Sequence, residues 1–161
     1  MNGNEIVTLI RTRTAMPWDR PSAGDWADVL GTFPLFTGVR KRQLRKLVHE
    51  ASFAEFAPGE RVLESEVNTD ALYIILGGAA KELERPAARA LRTGDYFGEL
   101  AVLDAAARSA TVIATTYLQV MKVPRQTLVR LAKQHAPVSM TMLRNLSTQL
   151  RRLETRVAHA G

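Results

Sequence analysis

The chain has 161 residues, enough for one domain with a real core and too short for two comfortable ones. It contains no cysteine, which excludes a disulfide framework and a thiolate metal site, and its 46% hydrophobic and 24% charged content is that of an ordinary soluble globular protein. The formal charge of +6 is unevenly placed: residues 1–124 carry fifteen basic and fifteen acidic side chains, while residues 125–161 carry Arg125, Arg130, Lys133, Arg144, Arg151, Arg152 and Arg156 against Glu154 alone.

Residues 1–25 read as a leader, either flexible or packed on the domain that fills 26–161. Ile6 to Ile10 is a short apolar run, and the stretch from Arg11 to Gly24 is rich in Thr, Pro and charge. It lacks the continuous apolar core of a signal segment, and no run in the chain has the length of a membrane span; the location this implies is cytoplasmic. His49, His135 and His159 lack ligand spacing, so no metal is expected. A helical turn is predicted from Asp25 to Leu30. After Phe33-Pro34-Leu35-Phe36 a helix is predicted over Val39 to Ala51, where Leu44, Leu47 and Val48 recur at helical spacing.

From Ser52 to Val123 the pattern changes to short strands: Phe53–Phe56, Arg61–Leu63 after the Pro58-Gly59 turn, Leu72–Leu76 closed by Gly77-Gly78, Ala79–Leu83, Arg89–Leu91, Ala110–Thr115 and Leu118–Val123. Strands of this length with regular turn signals predict a sandwich or roll. They are interrupted once, by Gly94-Asp95-Tyr96-Phe97-Gly98-Glu99-Leu100-Ala101 and then Arg108-Ser109-Ala110-Thr111-Val112. A short helix starting at Gly98 or Glu99 leaves its first N–H groups unpaired, and with the helix dipole they favour a phosphate. Gly98 allows close backbone approach. Arg108 offers a charge-assisted, bidentate pair to phosphate oxygens, and Ser109 a hydroxyl donor. Glu99 would repel a phosphate, and suits a sugar hydroxyl as an acidic residue does in dinucleotide folds.

Beyond Pro124 helix returns, from Gln126 to Gln134 with Leu128 and Leu131 as its apolar side, and Pro137 is read as the break before a helix over Val138–Val157. In that last helix Leu143, Leu146, Leu150, Leu153 and Val157 alternate by three and four, a coiled-coil spacing, with Arg144, Arg151 and Arg152 off the seam. The plainer alternative is that this stripe covers the roll of its own chain. The basic C-terminal face could attract nucleic acid, although a solvated face is the commoner origin of such a pattern.

Phe97-Gly98-Glu99-Leu100-Ala101 with Arg108-Ser109-Ala110-Thr111-Val112 resembles the phosphate-binding cassette of the cyclic nucleotide-binding domain, the family of the catabolite activator protein sensor and the protein kinase A regulatory subunit. The resemblance covers roughly residues 33–157. It implies a mainly β fold with flanking helices: a jelly-roll-like β-roll of about eight strands with an N-terminal helix, the short cassette helix and two C-terminal helices. It implies that Glu99 holds the ribose 2′-hydroxyl and Arg108 the cyclic phosphate, with Gly98, Leu100 and Ala101 supplying backbone and Ser109 a hydroxyl. Ala110, where cGMP-selective members commonly have Thr, points to cAMP as the ligand, with cGMP possible.

Two departures stand out. Ser65-Glu66-Val67-Asn68-Thr69-Asp70 lacks the usual loop glycines, and Asp104-Ala105-Ala106-Ala107 lacks the usual Gly or Pro. The function expected is a stand-alone cyclic nucleotide sensor without catalytic activity, working by conformational change on a protein partner or on its own oligomer. The resemblance further implies a homodimer through the last helix, with Thr155 or Arg156 capping the base. No DNA-reading motif follows Val157, and no membrane is involved. The alternatives are a degenerate roll that serves as an interaction module without ligand, and a basic-helix nucleic-acid binder.

Overall fold

Ser22 and Asp25 open the first helix by capping one another. The Asp25 amide donates to Ser22 Oγ at 3.2 Å and the Ser22 amide to Asp25 Oδ2 at 2.8 Å, which satisfies two donors that the first turn leaves over. The helix expected near Asp25 therefore starts at Ala23. The computed structural model of the chain describes residues 21–63, 70–83, 88–104 and 110–160.

Helix α1 (Ala23–Gly31) buries Trp26, Ala27, Val29 and Leu30, and a 3₁₀ turn at Pro34–Phe36 buries Leu35 and Phe36. Helix α2 (Lys41–Glu50) buries Leu44, Leu47 and Val48, the three residues whose spacing predicted it. Eight strands follow among the described residues: β1 (Ser52–Phe56), β2 (Arg61–Leu63), β3 (Ala71–Gly77), β4 (Ala79–Leu83), β5 (Arg89–Arg92), β6 (Tyr96–Phe97), β7 (Thr111–Ala114) and β8 (Leu118–Pro124). The short helix α3 (Glu99–Leu103) lies between β6 and β7, and α4 (Arg125–Gln134) and α5 (Ala136–His159) close the chain.

The strands form two antiparallel sheets, ordered β1-β8-β3-β6 and β2-β7-β4-β5, which is the β-roll with flanking helices that the sequence predicts. Strand β3 explains why Leu72–Leu76 reads as a continuous apolar run. Leu72, Ile74 and Leu76 belong to a core between this sheet and the helices, while Tyr73 and Ile75 belong to the core inside the roll. Both faces of the strand are covered, so no polar alternation survives. Gly78 turns the chain from β3 into β4 at φ +91°, where a Cβ would meet the Tyr117 carbonyl oxygen at 2.1 Å, so a side chain is excluded twice over.

Three differences from the sequence reading have physical causes. Strand β6 has only two residues, too few for a periodic signal, and is defined by pairing Tyr73 with Phe97 and Ile74 with Tyr96. The break falls at His135 and not at Pro137, which lies in the first turn of α5, where its missing N–H has no intrahelical partner to lose; His135 takes the N-cap position without a side-chain hydrogen bond. The last helix therefore has 24 residues rather than the 20 of Val138–Val157 and a length of about 36 Å. Apart from the half-buried Leu146, the leucine stripe also does not cover its own roll. Val138 and Met142 enter the core, whereas Leu143, Leu150, Leu153 and Val157 are 58%, 57%, 39% and 73% exposed.

Candidate functional site

The segment after β6 changes direction at Gly98, whose φ of +82° is readily accessible only to glycine. A Cβ here would lie 3.2 Å from the Ala71 carbonyl oxygen and 3.4 Å from Tyr73 Cδ2. The turn is thus pressed against β3, and the first residue of α3, Glu99, is driven inward. Glu99 is only 4% exposed, and Ala101 and Val102 are buried on the same short helix, while Leu100 points outward at 42%. Among the described residues no side chain caps the start of α3, which leaves its leading amides available to an incoming acceptor.

A buried carboxylate is costly unless it is hydrogen-bonded. Among the described residues its partner is an amide from the far end of the chain: Gln149 Nε2 donates to Glu99 Oε1 at 3.0 Å. One turn earlier on α5, Asn145 Nδ2 donates to the Tyr96 hydroxyl at 2.7 Å. Burial pushes the Tyr96 hydroxyl up to about 12, against the opposing pull of the Asn145 hydrogen bond, so it stays a neutral phenol through the ordinary pH range. Tyr96, Asn145 and Gln149 border a cleft of about 590 Å³ between α5, the 3₁₀ turn and the β5–β6 connection, and Glu99 is not among its lining residues. Phe33, Pro34 and Leu91 supply apolar wall, and Arg89 and Arg152 supply charge. The volume is that of a small-molecule site. A carboxylate has about four lone-pair positions and one amide partner here, so it can take a hydroxyl donor from a ligand.

The structure thus places Gly98, Glu99, Leu100 and Ala101 on one turn against β3, with Ala110 half-buried just before β7. Arg108 and Ser109 lie outside the described residues, as does the glycine-free stretch Ser65 to Thr69. Thr155 and Arg156 are exposed and do not line the cleft; Arg152 does. Sequence reasoning overlooked Tyr96, Asn145 and Gln149. Their signal was present as a second helical stripe, Val138, Met142, Asn145, Gln149 and Arg152, spaced by four and three residues beside the leucine stripe. It was obscured because only its first two members are apolar. Among the described residues no group of three acidic or histidine side chains could hold a metal ion, and no helix is long and apolar enough to cross a membrane.

Comparison with known proteins agrees with this architecture. Residues 53–135, just over half of the chain, match the family model of the cyclic nucleotide-binding domain. The chain is 31% identical over 102 residues to a cAMP-dependent protein kinase regulatory subunit from Aspergillus fumigatus, an alignment of 61% of this chain and 24% of that protein. It is 26% identical over 137 residues to a CRP-like cAMP-activated global transcriptional regulator from Mycobacterium tuberculosis, covering 81% of this chain and 61% of the regulator. The chain therefore spans about a quarter of the kinase subunit's length. Among solved structures, the cAMP-bound regulatory subunit PfPKA-R superposes with a TM-score of 0.75 at 23% identity, over 83% of this chain and 47% of that one. The catabolite activator protein of Thermus thermophilus gives 0.64 at 21%, over 77% and 61%.

Proposed function

The chain belongs to the cyclic nucleotide-binding domain family, and on that premise we propose that it is a regulatory sensor of a cyclic nucleotide, cAMP foremost, rather than an enzyme. The observation that carries the reading is the buried Glu99 at the start of α3, bonded to a side chain of α5. An acid held in that position beside uncapped helix amides suits a ligand that presents a hydroxyl and a phosphate together. In this reading Glu99 accepts the ribose hydroxyl, Gly98 to Ala101 present backbone to the phosphate, and Arg108 and Ser109 close on it with Ala110 behind them. The resemblance at Ala110 and the cAMP-dependent relatives favour adenine.

The output runs through α5. Gln149 bonds the acid that the ribose would engage, so ligand entry changes the hydrogen bonding of the helix directly. A ligand shifts such an equilibrium only by its differential affinity for the two positions of the helix. The exposed stripe from Leu143 to Val157 has a/d spacing, and Arg144, Arg151 and Arg152 fall off the seam, so two copies can pair without opposing like charges across it. A homodimer through α5, or a protein partner taking the second copy's place, is the proposed receiver.

Isothermal titration with cAMP and cGMP tests the reading. Arg108→Ala should remove most binding, since it deletes a charge-assisted hydrogen bond of roughly 1.5–3 kcal/mol, and Glu99→Ala should weaken it with the fold retained. Wild-type affinity in both variants would overturn the assignment. A roll that takes no ligand is the second reading, because a similar structure (TM-score 0.65, 25% identity) is the regulatory subunit of a cAMP-independent protein kinase A from Trypanosoma brucei. Absence of any thermal shift with either nucleotide would favour it, as a ligand at 100 times its dissociation constant adds about 2.7 kcal/mol.

A further inference from the structure

We propose that the cleft between α5 and the β5–β6 connection is a second ligand site, separate from the turn that carries Glu99, and that it takes a small organic carboxylate with an apolar body. The inference goes beyond the nucleotide reading and does not depend on it, because none of Gly98 to Ala101, nor Ala110, lines this cleft.

The lining joins three kinds of surface. Its floor is apolar and belongs to the core: Phe33, Leu35 and Leu91 are 6%, 2% and 3% exposed, with the exposed Pro34 beside them. Its rim is cationic, with the exposed Arg92 at the end of β5 and the exposed Arg152 on α5. The third component is a phenol. Tyr96 is 7% exposed, and its hydroxyl accepts from Asn145 Nδ2 at 2.7 Å, so its own proton is left to donate. A buried donor without an acceptor is costly, and a ligand oxygen would remove that cost.

The charge of the lining sets the charge of the ligand. Arg89 also lines the cleft, but its Nη2 lies 2.6 Å from Oε2 of the buried Glu82, which neutralises it. Among the described residues Asp95 is the one carboxylate in the lining, and its Oδ2 accepts from the Arg92 amide at 2.9 Å. The guanidinium groups of Arg92 and Arg152 make no hydrogen bond or ion pair among the described residues. Two unpaired cations against one carboxylate leave an excess of one positive charge, which suits a monoanion better than a phosphate dianion. A guanidinium meets a carboxylate through two parallel hydrogen bonds. Phe33, Pro34 and Leu91 offer the rest of the ligand no side-chain polar group, so that part is apolar, and a volume of about 590 Å³ has room for it.

The experiment titrates naphthalene-1-carboxylate into the full 161-residue chain and follows the backbone amide shifts by NMR. The shifts should centre on Thr93 to Asp95 and on α5 near Arg152. Arg92→Ala and Arg152→Ala should each weaken binding about tenfold, the loss of a charge-assisted bond. Both arginines are exposed, so the variants keep the fold. Arg144→Ala, on α5 but outside the cleft, should leave binding within about twofold. Acetate and naphthalene-1-carboxamide each lack one half of the proposed ligand and should bind at least about tenfold more weakly. Shifts centred on Gly98 to Ala101 would place the carboxylate in the nucleotide site, and shifts along Leu150 to Val157 would mean adsorption to the exposed leucines. Either pattern would overturn the proposal, as would equal loss in all three variants, unchanged affinity in Arg92→Ala and Arg152→Ala, or a wild type that does not bind. The nucleotide titrations are read separately, so a failure here leaves their result as it is.

Discussion

In the first half of α5, Val138 and Met142 are 0% and 3% exposed; from residue 150 onward every described side chain of the same helix is exposed. The helix is continuous through both halves, so the difference lies in what each half touches. Apolar burial holds the first half, and no soluble ligand can substitute for it. Past Met142, amide side chains bonded to a phenol and a carboxylate hold the helix, and a ligand with hydroxyl and acceptor groups can replace such bonds almost one for one. A lever needs one end fixed and one end exchangeable, and the change from Met142 to Asn145 places the boundary within a single turn.

The largest test compares the two stripes. Met142→Ala should lower unfolding stability by about 2–5 kcal/mol, measured as a shifted urea midpoint, because it leaves a cavity in the core shared with the helices. Leu150→Ala on the neighbouring stripe should cost less than about 0.5 kcal/mol at low protein concentration, where the site is solvated. If Leu150→Ala costs as much as Met142→Ala, and increasingly so with protein concentration, the seam is already buried between two copies and the comparison must be redrawn for a dimer.

Next in size is Asn145→Ala. It leaves the hydroxyl of the buried Tyr96 without its donor, at a cost of roughly 1–3 kcal/mol. Tyr96→Phe removes both halves of the problem and should cost less. Equal losses in the two variants would mean that Asn145 acts by packing instead.

Tyr96 also gives the site a pH signature. Its hydroxyl is shifted from 10 to about 12 by burial, so the folded state favours the protonated form. The corresponding stability is complete below pH 10 and is lost as the pH rises from 10 towards 12. Tyr73, shifted upward by burial inside the roll, contributes in the same direction. The urea midpoint should fall across that window, and fall less in Tyr96→Phe; an identical decline in the variant would remove Tyr96 as the cause.

The sequence made the roll legible because its cues are local. The Gly78 turn, the two-sided burial of β3 and the three apolar residues of α2 each follow from neighbouring residues in the chain. The same is true of the turn at Gly98. The partners of Glu99 and Tyr96 were not legible, since Gln149 lies fifty positions away and Asn145 forty-nine. Amides on a helix carry no hydrophobic period, and only the folded path of α5 shows that they share a face with Val138 and Met142. The leucine stripe misled for the opposite reason: its period is strong, but period alone does not reveal whether the covering surface belongs to the same chain.

Gln149→Ala is the sharpest perturbation for the comparison. It removes a donor to the buried Glu99 carboxylate, so global stability should fall by about 1–3 kcal/mol. Glu99 would then be left buried with a donor missing, and the loss should appear locally, as faster amide hydrogen exchange around α3 and from residue 145 onward in α5, with residues 136–142 unaffected. A ligand hydroxyl at Glu99 would supply the missing donor, so nucleotide should protect α3 more strongly in the variant than in the wild type. If exchange instead accelerates evenly along the whole of α5, the helix is a single rigid piece and the boundary at Asn145 has no mechanical meaning.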